Sequence, residues 1–516
     1  MIWGARYLSF LMGFLSLSQE ILWIRMASFS YRGVPQAFGV ILGLYLLGIA
    51  VGAGWGKRYC ERPVNLFRVA SAILLLAAVT DFLFPWVATE GFAMGRALGT
   101  AVLAFCVMVT ALLKSMIFPI AHHLGSSSSV GKVGSSVSKV YFANIAGSTL
   151  GPLITGFVML QYLTLQQSFT LLACVTLMTS AYCWHLAGGR LSLGMLGGSA
   201  FAGSMLMLLL PSVMMGRLVD HTGNREGAFK AAVENRYGII HLLESTDGGG
   251  DYVFGGNAYD GRINIDFMRD SNWISRVYML AALQPQPRRV LVIGMSAGPW
   301  TRVLTAFPGI EKIDVIELNP GYKEITSHYS EVRDILSDPR VNLHFDDGRR
   351  WLKRHPDERY DLIVMNNTYH FRSYAGMVLS QEFFTLVKRH MQPEAVLALN
   401  STYSPDVYKT AASVFSTVYQ YGNFAVVGEN IALPEEAEAV RRVAALRLSQ
   451  GALVDPAQSA VLARVQQNYG QFKRYDEAAL SAKAGRPIEV ITDQNMLTEY
   501  KYGESILRYL HIVAGK

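Results

Sequence analysis

The stretch VLVIGMSAGPW, from Val290 to Trp300, decides the fold of the C-terminal half of this 516-residue chain. Four aliphatic residues precede Gly294, and three further residues separate Gly294 from Gly298. Such a run is typical of a buried strand that passes through a glycine turn into a helix, the arrangement that cradles nucleotides in open α/β sheets. The stretch therefore predicts a Rossmann-like domain, although it follows a long segment of very different composition.

Strands alternate with helical segments from Arg288 onward. Glycine, acidic and amide residues stand where the predicted strands end. This alternation predicts a doubly wound parallel sheet, and such sheets bind ligands at the carboxyl ends of their strands. The predicted strands lie in the segments RRVLVIG, KIDVIELNP, VNLHFDDGRRWL, YDLIVMNN and AVLALNST.

The strand ends carry the residues that we expect to bind a nucleoside. Gly294 and Gly298 let the backbone approach a ligand, and Glu317 is placed to accept hydrogen bonds from both ribose hydroxyls. Asp347 could bind an adenine amino group. Because the turn is shorter than G-x-G-x-x-G, S-adenosylmethionine is favoured over NAD, and a domain that has lost its ligand is the alternative. The predicted binding residues are Gly294, Ser296, Gly298, Glu317, Asp346, Asp347, Gly348 and Asn366.

The N-terminal half is poor in charge. The whole chain is 51% hydrophobic and 16% charged, and the acidic residues before position 215 are limited to Glu20, Glu61, Asp81 and Glu90. A helix that spans a bilayer needs about 20 mostly apolar residues. The sequence therefore predicts an integral, multi-pass membrane domain whose partner is the lipid bilayer. Its seven candidate spans are 5–28, 34–56, 66–88, 98–121, 141–163, 166–187 and 192–215.

Basic loops predict how this domain is oriented. Lys57 and Arg58 follow the second span, Lys132 precedes the fifth, and Arg190 precedes the seventh. The positive-inside rule places all three loops in the cytoplasm. Seven crossings would send the C-terminal domain outside, so either one segment does not cross or the loop rule fails here. We favour the first, with the glycine- and serine-rich segment 192–215 broken or lying at the interface. The soluble domain is then cytoplasmic, beside a membrane of the bacterial inner-membrane type.

Polar and small residues within the spans have two readings each. Glu20 and Arg25 are interpreted either as an interfacial arginine with an acid paired between helices, or as a polar site near the membrane surface. The spacing of Gly147 and Gly151 predicts close helix packing in preference to a pore, and it would allow a homodimer. Lys114, in the fourth span near a proline, predicts a kink or a side chain that reaches the membrane surface.

The pattern predicts four domains. They are a transmembrane helical domain (1–216), a linker with a small β-hairpin domain (217–285), a Rossmann-like domain (286–430) and a helical C-terminal appendage or lid (431–516). The four cysteines lie in the apolar half without metal-ligand spacing, and no basic stripe carries interleaved aromatic residues. We therefore expect no metal site and no nucleic-acid partner.

Five motifs are spread over nearly the whole chain: EILWIRM, YFANIAGSTLGPLITG, ELNPGY, DDGRRWL and NNTYHFRSYAGMVLSQEF. Together they resemble the spermidine synthase family, within the class I methyltransferase fold. They are similar above all to its membrane-fused branch, in which a transmembrane domain precedes the synthase-like domain. The resemblance implies a small β domain, a Rossmann-like domain, and S-adenosylmethionine or its decarboxylated form as substrate.

The chain departs from the resembled family at its acidic positions. The family's aspartate in the glycine turn is Ala297 here, and its D-S-S-D motif reads Asn366-Asn367-Thr368-Tyr369. The family's Tyr-His-Glu set reads Arg276-Val277-Tyr278. The resemblance implies that those acids bind a diammonium substrate and deprotonate its attacking nitrogen, which an amide cannot do. We therefore expect an acceptor other than putrescine.

New polar residues stand beside the lost acids. Arg372 could pair bidentately with a carboxylate or phosphate, and His370 could act as a general base near neutral pH. The alternative is that both are surface loop residues. Asp346 and Glu382 are reserve candidates for acid–base work, and Asp346 could instead cap the next helix. The predicted catalytic residues are Asn366, Tyr369, His370 and Arg372.

These observations favour a membrane-anchored transferase. We expect it to transfer the aminopropyl or aminocarboxypropyl arm of its sulfonium substrate to a small-molecule or lipid acceptor and to release methylthioadenosine, because the enzyme mainly has to position a nucleophile. The alternatives are a methyltransferase, a lyase or cyclase that needs no acceptor, and a transporter or sensor with a nucleotide-binding regulatory lobe.

Overall fold

The computed structural model describes residues 2–126, 133–189, 198, 203, 213–223, 227–448, 451–452, 459–504 and 506. The chain divides into two compact units. The first contains Met1–Arg225, Glu234–Ile239 and Ile506–Lys516, and the second contains Glu226–Val233 and Ile240–Ser505. The four-domain division with boundaries at 216, 285 and 430 stays a prediction.

The first unit is helical. Six of its helical segments in the described residues are long and apolar enough to cross a membrane, which suggests a membrane protein. The predicted seventh span, 192–215, lies almost entirely outside the described residues. The helices are Ile2–Ser30, Gln36–Cys60, Leu66–Gly91, Arg96–Ser115, Ile117–Ser126, Val133–Ile154, Leu160–Tyr162, Leu165–Leu186 and Val213–Thr222, with a 3-10 turn at Phe92–Met94 and a π-turn at Thr155–Met159.

Two glycines bring the backbones of two membrane helices together. A methyl group on Gly147 would overlap the carbonyl oxygen of Phe10, and one on Gly151 would overlap that of Phe14. Only a residue without a side chain permits such an approach. The predicted close packing at this glycine pair is therefore confirmed.

Lys114 is buried inside the helical unit. Its ammonium group lies 2.9 Å from a carboxylate oxygen of Asp81, and it also donates to the Gln19 side chain. Asp81 in turn accepts hydrogen bonds of 2.8 Å from Gln19 and from the Thr176 hydroxyl. The prediction of a side chain that reaches the membrane surface was wrong, because an acid on a neighbouring helix satisfies the charge in place. The helix is interrupted at Met116, close to the predicted kink.

Arg25 has a structural role within the same unit. Its guanidinium donates to the backbone carbonyl oxygens of Asn235 and Gly238, the latter at 2.8 Å. Those acceptors belong to the turn between two strands and would otherwise need water or another donor. The interfacial interpretation of Arg25 fits these contacts better than a polar binding site.

A small sheet of four strands precedes the main fold. Its order follows the chain, β1-β2-β3-β4, and β2, β3 and β4 pair antiparallel. Glycines occupy the connections from β2 to β3 and from β3 to β4, as expected for hairpins, whereas Arg236 and Tyr237 join β1 to β2. The strands are β1 (Ala228–Asn235), β2 (Gly238–Glu244), β3 (Tyr252–Gly255) and β4 (Ala258–Arg262).

The main sheet has eight strands in the order β14-β10-β11-β9-β8-β5-β6-β7. Strands β5 to β9 are parallel, which confirms the predicted Rossmann-like fold. Because β5 pairs with both β6 and β8, the order of the strands reverses beside β5, where such sheets bind ligands. The strands are β5 (Arg289–Ile293), β6 (Lys312–Glu317), β7 (Val341–Phe345), β8 (Tyr360–Met365), β9 (Met391–Asn400), β10 (Thr417–Tyr421), β11 (Phe424–Gly428) and β14 (Lys473–Arg474), and β12 (Arg447–Leu448) pairs with β13 (Gly451–Ala452).

Helices cover both faces of this sheet. Along β5, Val290 and Val292 join one hydrophobic core, whereas Leu291 and Ile293 join the other, as the two-residue period of a strand requires. The helices of the second unit are Ser275–Tyr278, Leu280–Leu283, Pro299–Leu304, Gly321–Ser327, Gly348–Arg354, Gln381–Arg389, Pro405–Ala412, Glu436–Ala444, Ser459–Tyr469, Glu477–Ala484 and Leu497–Tyr500, with 3-10 turns at Arg333–Leu336 and Ala375–Val378.

The hairpin formed by β10 and β11 is absent from the sequence-based expectation. Its strands are antiparallel to each other, and β11 is antiparallel to β9. A two-residue turn, Gly422-Asn423, joins them, with Gly422 at a φ of 57°. A Gly-Asn pair between two β-prone runs is a recognised hairpin signal, so the sequence did contain the evidence for this hairpin.

Candidate active site

A tight turn connects β5 to the helix Pro299–Leu304. Gly294, Ser296 and Gly298 all have positive φ, at 87°, 51° and 96°. A Cβ atom on Gly294 would overlap the carbonyl oxygen of Asn366, so the turn lies directly against the end of β8. The two glycines therefore let the turn pack closely, against Asn366 on one side of Ser296 and against Ile335 on the other.

Glu317, at the end of β6, holds this turn in place. Its carboxylate accepts hydrogen bonds from the backbone N–H groups of Met295 (2.8 Å), Ser296 (3.3 Å) and Asn319 (2.8 Å). Burial raises the pKa of Glu317 to about 7. The negative charge of Asp260 adds to this rise, and the backbone hydrogen bonds oppose it. An ionised carboxylate offers about four acceptor positions, so Glu317 keeps capacity for a ribose hydroxyl.

The residues that follow β7 correct the prediction that Asp346 caps the next helix. Asp347, rather than Asp346, caps the helix Gly348–Arg354, by accepting a 2.8 Å hydrogen bond from the backbone of Arg350. Asp346 pairs instead with the side chains of Arg350 and Arg354. Burial alone would raise the pKa of Asp346, but the hydrogen bond from Arg350 brings it below its ordinary value. Asp346 is therefore poorly suited to acid–base work.

A cavity of about 300 Å³ lies near the glycine turn, although neither the turn residues 294–298 nor Glu317 is among those lining it. Asn366 and Tyr369, two of the predicted catalytic residues, line it, together with Trp300. Trp300 stands two residues after Gly298. We call it the turn cavity, because Asn366 both lines it and contacts the turn at Gly294.

Asp260, on β4, is the acidic residue among those lining the turn cavity. Tyr322 donates a 2.6 Å hydrogen bond to its carboxylate. Burial raises the pKa of Asp260, and hydrogen bonds from Tyr322 and Ser296 and the charge of Arg372 offset the rise only in part. The sequence-based prediction missed this residue, since no motif marks an acid in the small hairpin sheet and only the fold brings it to the turn.

Arg276 lines the same cavity, and the sequence-based prediction did not include it among the site residues. Its guanidinium donates to the side chain of Asn423 and to the backbone carbonyls of Asn272 (3.0 Å) and Trp273 (2.8 Å). Burial lowers the pKa of Arg276 to about 10, which still leaves it charged at neutral pH. The turn cavity therefore holds one acidic side chain and one basic side chain.

Arg372 lies close to Asp260 and its partner. It donates a 2.7 Å hydrogen bond to the Thr368 hydroxyl, and the charges of Tyr322 and Asp260 act on it. Burial lowers the pKa of Arg372 more than those charges raise it. The positive charge of Arg372 therefore acts on Asp260, and Arg372 is not among the residues lining the turn cavity.

His370, like Arg372, is a predicted catalytic residue that is not among those lining the turn cavity. It lines a second cavity, of about 350 Å³, with Lys483 and Arg486. Its backbone N–H donates to the Thr402 hydroxyl at 3.0 Å. Burial lowers the pKa of His370, so the ring is neutral at pH 7. His370 and Asn366 therefore line two neighbouring cavities, which share Tyr403 and Asn423.

Known proteins match this domain. Residues 276–426 match the family model of the spermine/spermidine synthase domain. A polyamine aminopropyltransferase of Corynebacterium efficiens is 25% identical over 430 residues, which cover 79% of this chain and 78% of the relative. A polyamine aminopropyltransferase of Clostridium perfringens is 32% identical over 130 residues, which cover 25% of this chain and 45% of the relative.

Solved structures are similar at lower identity. The spermidine synthase from Thermotoga maritima has a TM-score of 0.35 and 17% identity, and the match covers 43% of this chain and 85% of that one. The family match and the curated relatives, together with the glycine turn and Glu317, agree with the resemblance seen in the sequence motifs. Residues 276–426 therefore match a spermine/spermidine synthase domain, and the chain is similar to polyamine aminopropyltransferases.

Proposed function

We propose that this protein is a membrane-anchored transferase that uses S-adenosylmethionine or its decarboxylated form and releases methylthioadenosine. The observation that carries the proposal is the glycine turn held by Glu317 at the reversal point of the sheet, with Asn366 between the turn and a cavity. Relatives that are named polyamine aminopropyltransferases support transfer of the three-carbon arm in preference to a methyl group.

The reaction requires mainly that the protein position the acceptor against the sulfonium substrate. An acceptor's lone pair attacks the arm carbon that is bonded to the sulfonium sulfur, and that C–S bond breaks. The electron pair returns to sulfur, which leaves as the neutral thioether of methylthioadenosine. Asp260 is our candidate to take the acceptor's proton, since burial raises its pKa and it lines the turn cavity. Asn366 and Tyr369 would position the acceptor.

We propose that the acceptor is not a diamine. Two ammonium groups that leave water need carboxylates in place of their hydration. The residues lining the turn cavity include one acid, Asp260, and it is already engaged by Tyr322. Arg276 adds a positive charge that would repel an ammonium group. A small-molecule or lipid acceptor that lacks a second cation fits this lining better.

A reaction without an acceptor is the second candidate. The presence of one acid in the turn cavity favours it, because a lyase or cyclase needs no group to hold a second substrate. In such a reaction the substrate's own carboxylate attacks, and the sulfur again leaves as methylthioadenosine. We further propose that the second unit faces the cytoplasm, where these substrates are made available.

Product analysis tests the proposal. Full-length protein is incubated with S-adenosylmethionine and, separately, with its decarboxylated form, with and without membrane lipid, and adenosine products are followed by mass spectrometry. We expect methylthioadenosine, and lipid dependence would distinguish transfer to a lipid from acceptor-free cleavage. E317A should abolish the product, whereas E311A, at an exposed glutamate paired with Arg288, should not.

Other products would contradict the proposal in different ways. S-adenosylhomocysteine would make the protein a methyltransferase. If neither sulfonium compound binds, the enzyme proposal fails. Transport activity that persists in E317A would instead support a transporter or sensor with a regulatory lobe.

A further inference from the structure

Three arginines of the second unit are less than one-tenth exposed in the part of the chain that the structure describes: Arg262, Arg276 and Arg302. Arg262 pairs with Asp247, and Arg302 pairs with Asp334 at 3.2 Å. Arg276 has no carboxylate within ion-pair distance among the described residues. The arginine without an ionic partner is thus the one that lines the turn cavity.

Neutral groups surround Arg276. Its hydrogen-bond acceptors are an amide oxygen and two backbone carbonyls, and the rings of Trp300 and Phe424 lie 5.4 and 4.6 Å from its guanidinium carbon. The charge of Asp270 reaches Arg276 only at longer range, since Asp270 itself bonds to Ser275 and Arg464. Of five guanidinium N–H groups, three are used, so one on each terminal nitrogen is free.

A buried charge without a counter-ion is costly to keep. Proteins usually pair such a charge or replace it by an apolar residue. Two free N–H groups on one planar guanidinium match the two oxygens of a carboxylate. The cavity beside Arg276 therefore has the chemistry of a carboxylate site.

The position of Arg276 in the turn cavity indicates which ligand carboxylate it would bind. Trp300, which contacts the guanidinium, follows the glycine turn by two residues, and Asn366, which contacts the turn, lines the same cavity. A ligand whose adenosine lies at Glu317 would extend its sulfonium arm into this cavity. The arm of S-adenosylmethionine ends in a carboxylate, and the arm of the decarboxylated form does not.

We propose that Arg276 binds the carboxylate of S-adenosylmethionine, so that the protein uses the intact sulfonium amino acid and not its decarboxylated form. This inference rests on the proposed function and narrows it to transfer of the aminocarboxypropyl arm. The nucleophile replaces sulfur at the arm carbon, sulfur keeps the electron pair, and the carboxylate passes unchanged into the product. Arg276 is thus a specificity-determining residue that touches substrate.

Calorimetry of the full-length protein tests this proposal with three probes: S-adenosylmethionine, decarboxylated S-adenosylmethionine and methylthioadenosine. We expect the wild-type protein to bind the intact compound about tenfold tighter or more, because a charged hydrogen-bonded pair is lost with the carboxylate. R276Q should remove this preference and leave methylthioadenosine binding unchanged, whereas R276K should keep part of the preference. R288Q, at an exposed arginine, is the matched control.

Each other result overturns the inference. Equal wild-type affinity for the two sulfonium compounds contradicts it, and this comparison needs no variant if R276Q fails to fold. An equal loss of affinity for all three probes in R276Q would make Arg276 a structural residue. If methylthioadenosine binds and the preference is absent, the inference fails while the proposed function survives. If methylthioadenosine does not bind at all, both fail.

Discussion

Two buried cations, Lys114 in the first unit and Arg276 in the second, have different surroundings. Lys114 contacts a carboxylate of Asp81 at 2.9 Å, and Gln19 and Thr176 complete the cluster. Arg276 contacts only neutral acceptors and aromatic rings among the described residues, and it borders a cavity. The charge of Lys114 is paired with an acid of the chain itself, whereas the charge of Arg276 has no carboxylate partner among the described residues.

The difference separates a structural charge from a binding charge. A cluster that satisfies its own hydrogen bonds rigidifies the helices that carry it and gives a ligand no position to occupy. A buried charge that lacks a counter-ion and faces a cavity marks a place where a ligand of opposite charge gains most. Substitutions at a structural charge should therefore change stability, and substitutions around a binding charge should change ligand chemistry.

The largest expected effect is on the stability of the helical unit. K114M leaves the Asp81 carboxylate buried without its partner, which should cost about 3–5 kcal/mol, and K114M with D81L should cost less than K114M alone. Helix content during unfolding in detergent measures this. K57M is the control, because Lys57 forms an exposed pair with Glu61 and should change stability by less than about 1 kcal/mol. A K114M protein as stable as wild type would show that the cluster is dispensable.

The next effect is on turnover. D260N keeps the shape of the side chain and its hydrogen bond from Tyr322 but removes the base, so methylthioadenosine release should fall about 100-fold or more. Steady-state kinetics should assign the loss to kcat. D357N, at an exposed aspartate, should behave as wild type. Full activity in D260N would move the base to another residue.

A pH effect of intermediate size follows from Glu317. Its pKa in the folded protein is about 7, above its ordinary value of 4.5, so the folded state binds more protons between these values and stability falls as the pH rises through them. Ribose hydroxyls need the ionised carboxylate as acceptor. Methylthioadenosine affinity should therefore rise about tenfold between about pH 6 and pH 8 in wild type. A similar rise in E317Q would assign the titration elsewhere.

The smallest expected effect concerns His370. Because it lines a different cavity from Asn366 and Tyr369, H370A should keep methylthioadenosine release within about threefold of wild type, since a general base must lie within hydrogen-bond reach of the reacting group. The same kinetic assay measures it. A loss as large as that of D260N would restore His370 to the catalytic role that its sequence position suggested.

Local patterns sufficed to predict much of the fold. The glycine turn at Gly294, the acid at Glu317 and the alternation of strands and helices all depend on residues close in sequence, and the structure contains each of them. The apolar spans are equally local, because length and hydropathy alone define them, and six of them lie in the described residues.

The rest of the site depends on contacts between distant parts of the chain. Asp260 lies on a hairpin strand and meets Tyr322, 62 positions away, only in the folded domain. Arg276 occupies a position where the motif comparison showed a changed residue, but its lack of an ionic partner is visible only when its surroundings are known. His370 and Tyr369 are adjacent in sequence, yet they line different cavities, which share Tyr403 and Asn423.

The most direct test of the central claim is a structure of the full-length protein with bound S-adenosylmethionine. We predict that the ribose lies at Glu317, that the sulfonium lies in the turn cavity, and that the carboxylate forms a bidentate pair with Arg276. A nucleoside at Glu317 with its arm directed away from Arg276 would contradict the inferred substrate. A ligand bound beside His370, with the turn cavity empty, would contradict the account of the active site as a whole.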